Sequence, residues 1–311
     1  MNRKHNVGPK DTAGARVLLR PGHALLLLGV IAAGAICYPA IKVGLESAPA
    51  WRFAGLRTLL GGLFLLALLA AFKRPLWPRR ELARWIVPLG LLATTLTFGS
   101  MFLSPAFTGA GIGAILGNMQ PLGVVVLAAA FLGERLNTRK IIALALGVGG
   151  IVLIAGPLVV EGNARELTGT MLAALSSMGA AGASVLMKRL SPGTDLLALS
   201  AWQLIAGSLP LLALSAVAER EAPISWSPSF VALLVLLALT GTALATAGWF
   251  WLLQHYEAGP LSLYLFLAPV FGLLIALVFR GETLSRSETA GILLILTGLG
   301  ASALWRPSRI Q

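Results

Sequence analysis

Long apolar runs, each about as long as a bilayer-spanning helix, alternate with short polar or proline-bearing connections along almost the whole chain. The runs are continuous rather than alternating at every second position, so they predict helices and not the strands of a membrane barrel. A spanning helix needs about 20 mostly apolar residues. On that ruler the pattern predicts ten spans, at 22–44, 51–72, 84–104, 109–132, 138–158, 168–188, 195–217, 229–253, 259–280 and 286–305. Residues 1–21 read as a polar, basic arm, loose or amphipathic, and 306–311 as a short tail. The first run carries Ala32, Ala33, Gly34 and Ala35, small residues that a signal peptidase accepts; we read the run as a retained first span.

Two blocks repeat. Pro121–Leu136 reads PLGVVVLAAAFLGERL and Pro269–Leu284 reads PVFGLLIALVFRGETL, 148 positions apart, with six of sixteen residues identical. Such a repeat fixes architecture before any local feature does. At an offset of 146, Lys42 falls on Lys188, Arg57 on Gln203 and Gly61 on Gly207; at 148, Gly150 falls on Gly298. The ten spans then divide into halves of five, 22–158 and 168–305. An odd number of crossings starts the second half on the opposite side. The expected fold is an all-α membrane protein of two inverted five-helix repeats around a central cavity, a ground plan of secondary transporters.

Composition agrees. The 311 residues are 57% hydrophobic and 12% charged, with mean hydropathy +0.85, whereas soluble domains carry about 25% charged residues. A formal net charge of +12 would suggest nucleic acid in a soluble protein. Here it follows the enrichment of Lys and Arg in cytoplasmic loops. With the N-terminus inside, 17 of the 24 Lys and Arg fall on cytoplasmic segments and six outside. Both termini are therefore expected in the cytoplasm, with the bilayer as partner and no nucleic acid. The single cysteine, Cys37, excludes an intrachain disulfide.

Polar residues inside spans are costly and therefore informative. Thr94, Thr97, Met101 and Ser104 share one face of the third span; Thr242, Thr246, Trp249 and Leu253 share one face of the eighth. The repeat offset maps Thr94 on Thr242 and Met101 on Trp249. We expect both faces to line one cavity, although hydroxyls also bond back to their own helix or hold neighbours together, and Trp249 also suits an interfacial belt. In the fourth span Asn118 and Gln120 precede Pro121, which removes a backbone donor and bends a helix. Pro269 follows Tyr264 and Phe266, an aromatic wall. Each proline is either a plain structural kink or part of a binding site. Gly109, Gly113 and Gly117, and Ser176, Ser177, Gly179 and Gly182, read as packing surfaces.

Arg57, several residues inside the second span, must snorkel, find a partner or face water. It either meets a substrate carboxylate, steadies a gate or pairs structurally, for example with Glu46. Tyr38 and Lys42 are placed near a cavity mouth, with Lys188 as the matching rim charge. Glu134 and Glu282, at helix C-terminal ends where the dipole disfavours them, are expected to pair with basic side chains or free N–H groups.

Over residues 22–305 the chain resembles the EamA-type members of the drug/metabolite transporter superfamily. The resemblance rests on the 5+5 spans, the first-helix ending Tyr38-Pro39-Ala40-Ile41-Lys42, Arg57 in the second helix and the two Pro-to-Gly-Glu blocks. It implies small-metabolite transport at a bacterial inner membrane, and among members the chain is most similar to amino-acid exporters. Gln203 departs from the first half, so a role for Arg57 need not be duplicated.

We assign no Asp or Glu to the deep middle of a span, where pumps place proton relays, which favours facilitation or coupling by other means. There is no P-loop, no HExxH and no cofactor motif. The expected function is export of a small polar metabolite, an amino acid foremost. A multidrug exporter of lipophilic cations would want an acidic cavity, and a membrane-embedded lipid-modifying enzyme would want a clustered acid/base or metal set. We expect no catalytic residues and no metal or cofactor. The sequence fixes no oligomeric state, and a monomer is compatible with it.

Overall fold

The structure, a computed structural model, describes residues 20–107, 118–155, 164–190, 196–272 and 286–304. Their regular structure is helical, with no strand among the described residues. The helices are α1 (Pro21–Gly44), α2 (Ala50–Ala71), α3 (Ile86–Ala106), α4 (Gln120–Leu132), α5 (Thr138–Ala155), α6 (Ala164–Leu190), α7 (Leu197–Ala218), α8 (Pro228–His255), α9 (Ala258–Gly272) and α10 (Arg286–Leu304). Six of them (α1, α2, α3, α6, α7 and α8) are long and apolar enough to cross a membrane; α4, α9 and residues 289–300 of α10 form shorter apolar helices. The chain is thus an all-helical membrane protein. The expectation of ten spans goes beyond these six.

Local chemistry sets the helix ends. Pro21 and Pro228 stand in first turns, where a missing N–H costs nothing. Ser227 caps α8 by accepting from Phe230 N at 3.2 Å. Gly133 ends α4 with φ 68°, the left-handed conformation that glycine adopts without strain. Pro121 also lies in a first turn, that of α4. Among the described residues it stands at the start of this helix and not in its middle. Pro269 stands beyond a 3₁₀ turn at Tyr264–Phe266 inside α9.

The helices pack in matched pairs. α2 lies along α7 and α5 along α10; α3 touches α6 and α7, as α8 touches α1 and α2. The close approaches recur under the sequence offset. A Cβ on Gly61 would lie 3.0 Å from Thr242 Cγ2 and 3.1 Å from Ala238 O. One on Gly207 would strike the carbonyl of Gly90 and Thr94 Cβ. Likewise Gly150 faces Gly291 O and Gly298 faces Ala143 O. These two pairs of contacts between the halves are twins with the halves exchanged. Large side chains such as Leu25, Val43, Leu63, Val87 and Val217 are exposed, as lipid-facing positions of a bundle require.

Candidate functional site

The ladders of α3 and α8 widen into π-helix at Gly90–Leu96 and at Leu237–Leu244. These stretches are equivalent under the 148-residue offset. π-Helical turns are rare and gather at functional positions. The first holds Thr94 and the second Thr242, while Thr97 and Thr246 follow just beyond them.

Thr242 and Thr94 have no exposed surface. Arg57 Nε donates to Thr242 Oγ1 at 2.6 Å, joining α2 to α8. Thr94 Oγ1 donates to Gln203 Oε1 at 2.7 Å, joining α3 to α7. Since Arg57 matches Gln203 and Thr94 matches Thr242, this is one clasp built twice, with donor and acceptor exchanged. The expected cavity hydroxyls are therefore spent here on contacts between helices.

Among the described residues Arg57 is the largest fully buried side chain, 1% exposed. Besides Thr242, its Nη2 donates to Cys37 Sγ at 3.0 Å and Gly241 O at 3.0 Å, and the rings of Phe98 and Phe102 lie 5.5 Å from its Cζ. Nη1 has no hydrogen-bond partner. The pairing with Glu46 is not formed; that glutamate is exposed, and the widened turn brings a hydroxyl and a carbonyl to the guanidinium instead.

A second junction joins two more expected cavity residues. Trp249 Nε1 and Gln120 Nε2 both donate to Ser184 Oγ, at 2.9 and 3.3 Å. Trp249 is 7% exposed, so it is an interior group and not part of an interfacial belt. Thr97 Oγ1 turns back to Leu92 O of its own helix at 2.8 Å, and its carbonyl accepts from Ser176 Oγ at 2.9 Å. Met101, Asn118, Thr246 and Tyr264 are half-buried. Lys42 is exposed at the end of α1. The helix at Tyr38 is described but its side chain is not; Glu282, Gly109, Gly113 and Gly117 lie outside the described residues.

The charged ends of the bundle are tied down. Glu134 accepts from Ala258 N at 2.7 Å, from Gly259 N at 3.0 Å and from Lys140 Nζ at 3.3 Å. It caps the positive end of α9. Lys188 Nζ caps the carbonyl end of α8 through Leu253 O and Tyr256 O, at 2.6 and 2.8 Å. Elsewhere Glu219 receives the N–H groups of Trp51 and Arg52 at 2.9 and 3.0 Å, capping α2. A groove between α7 and α8, lined by Arg74, Ser200, Phe250 and Trp251 among others, contains none of the expected cavity residues. No group of His, Cys, Asp and Glu suited to a metal occurs among the described residues.

The structure adds Gln203, Ser184 and Gly241 to the site. The offset that pairs Gln203 with Arg57 was the one available signal for it; nothing in the sequence marked Ser184.

The EamA-like transporter family matches the chain twice, over residues 20–156 and 167–303. The chain belongs to the EamA-like transporter family. This EamA-like chain is 31% identical over 278 residues to the uncharacterized transporter YvbV of Bacillus subtilis, covering 89% of this chain and 90% of that protein. It is 31% identical over 293 residues to a probable amino-acid metabolite efflux pump of Salmonella typhimurium, covering 88% and 92%. A solved crystal structure at 19% identity aligns with a TM-score of 0.77 over 92% of this chain and 97% of its own. At that identity the likeness concerns the fold. The two family matches fall on the two halves whose contacts are reciprocal.

Proposed function

We propose that this EamA-like transporter exports small metabolites, amino acids foremost, by alternating access between two inverted five-helix repeats in a bacterial inner membrane, with both termini in the cytoplasm. The observation that carries the reading is the doubled clasp, Arg57 to Thr242 and Thr94 to Gln203. In an inverted repeat, equivalent contacts lie on opposite sides of the midplane. One clasp then closes the outer side and the other the inner side, and opening them in turn exposes a central site to each face. In open states the hydroxyls of Thr94 and Thr242 join Met101, Asn118, Gln120, Thr246, Trp249 and Tyr264 as cavity lining. Hydroxyl, amide, thioether and aromatic groups suit a zwitterionic solute. The naming of the Salmonella relative as an amino-acid metabolite efflux pump supports the same cargo class.

Solute flux in liposomes carrying the purified protein tests this. Amino acids should cross faster than in empty vesicles and compete with one another. Flux of lipophilic cations alone would replace the cargo, and no flux from an amino-acid and drug panel would refute the reading.

A further inference from the structure

Arg57 holds more charge and more donors than its clasp uses. We infer that Arg57 receives a carboxylate of the transported solute through its free Nη1 when the clasp to Thr242 opens; this deepens the transporter reading above and rests on it. The guanidinium is 1% exposed. Its hydrogen-bonding partners, Thr242 Oγ1, Cys37 Sγ and Gly241 O, include no carboxylate. The described ion pairs join Lys140 to Glu134 and Glu257 and leave Arg57 out. A buried charge without a counter-charge costs several kcal/mol, and an orphaned buried donor adds to that.

The clasp itself does not require this. The equivalent contact in the other half is made by Gln203, a neutral amide, to Thr94 at 2.7 Å. What distinguishes the halves is a fixed positive charge and an unused N–H on Nη1. The guanidinium fork matches a carboxylate in two parallel hydrogen bonds. A carboxylate bound by Nη1 and Nη2 would compete with Gly241 O and Cys37 Sγ for Nη2. Solute binding would then loosen the contact between α2 and α8 and couple cargo to opening. Phe98 and Phe102 give the guanidinium an apolar surround that strengthens a charged pair. A single cation fits a monocarboxylate better than a phosphate ester.

The test compares each amino acid with its own amide, which lacks the carboxylate, in liposomes carrying wild type, Arg57→Gln or Arg57→Lys. Wild type should prefer the acid. Arg57→Gln should raise KM for the acid by about tenfold or more, the loss of a charged hydrogen bond, and leave the amide nearly unchanged. Arg57→Lys should fall between. Since Gln203 makes the equivalent contact, Arg57→Gln should fold; if it does not, wild-type melting decides, because the acid must raise the melting temperature more than the amide. An unchanged acid-to-amide ratio in Arg57→Gln, or equal shifts by acid and amide, overturns the inference. Amino-acid flux indifferent to the carboxylate removes this role while leaving the cargo standing. Arg57-dependent flux of other carboxylates without amino-acid flux removes the cargo and leaves the role.

Discussion

Arg57 Nε and Thr242 Oγ1 meet at 2.6 Å between α2 and the π-helical turn of α8, and Gln203 and Thr94 repeat that meeting between α7 and the π-helical turn of α3. The two contacts differ in charge. In the first a guanidinium donates to a hydroxyl; in the second a hydroxyl donates to an amide oxygen. The same backbone arrangement therefore holds its halves together with unequal strength.

That inequality predicts a ranking. Thr242→Val takes an acceptor from a buried charge and should cost about 2–3 kcal/mol. Thr94→Val leaves Gln203 Oε1 unmatched and should cost about 1–2 kcal/mol. Thermal unfolding in detergent checks the order; equal losses would contradict a charge-bearing first clasp.

The helix crossings beneath the clasps differ in tightness. A methyl group on Gly207 would meet the backbone of Gly90 and Thr94 Cβ, whereas one on Gly61 meets Thr242 Cγ2 at 3.0 Å and Ala238 O at 3.1 Å. Overpacking costs about 1–3 kcal/mol. Gly207→Ala should lie at the upper end and Gly61→Ala at or below the lower, read as yield and melting temperature.

Much of this was legible in the sequence. The offset pairs Arg57 with Gln203 and Thr94 with Thr242 on sequence alone. It did not tell what the threonines face, because helical spacing places a hydroxyl on a cavity wall and on a neighbouring helix alike. The π-helical turns were hidden too. They lie where Gly61 and Gly207 bring α2 and α7 close to α8 and α3, contacts that a linear pattern does not show. The apolar pattern runs Pro121 into a longer helix, whereas α4 begins at Gln120 and makes it a first-turn residue. Glu134 was readable in kind, an anion seeking N–H groups or a cation, but its partners Ala258 and Gly259 lie 124 and 125 residues away.

Glu134 should behave as a cap. Glu134→Ala removes acceptors from Ala258 N and Gly259 N and the ion pair to Lys140. A cap contributes about 0.5–2 kcal/mol, so a loss near the upper end is expected because the site is partly buried. Glu134→Gln should retain part of it. Melting curves of the two variants check this.

Opposite sidedness is testable without transport. In a Cys37→Ser background, a cysteine at Lys73 should react with a membrane-impermeant maleimide only after the cytoplasmic face is opened. A cysteine at Glu221 should react in intact cells. Both residues are exposed.

The most direct measurement locks one clasp. A Cβ on Gly61 lies 3.3 Å from Thr242 Cβ, close to the separation of about 3.5–4.5 Å in disulfides. Gly61→Cys with Thr242→Cys, in the Cys37→Ser background, should form a bond on oxidation. Because Thr242 is itself a clasp and cavity residue, the reduced double-cysteine variant is the reference: the account predicts that its amino-acid counterflow in liposomes falls to the empty-vesicle level when this bond forms and recovers to the variant's own reduced level on reduction. Undiminished counterflow with the bond intact would contradict alternating access through these clasps.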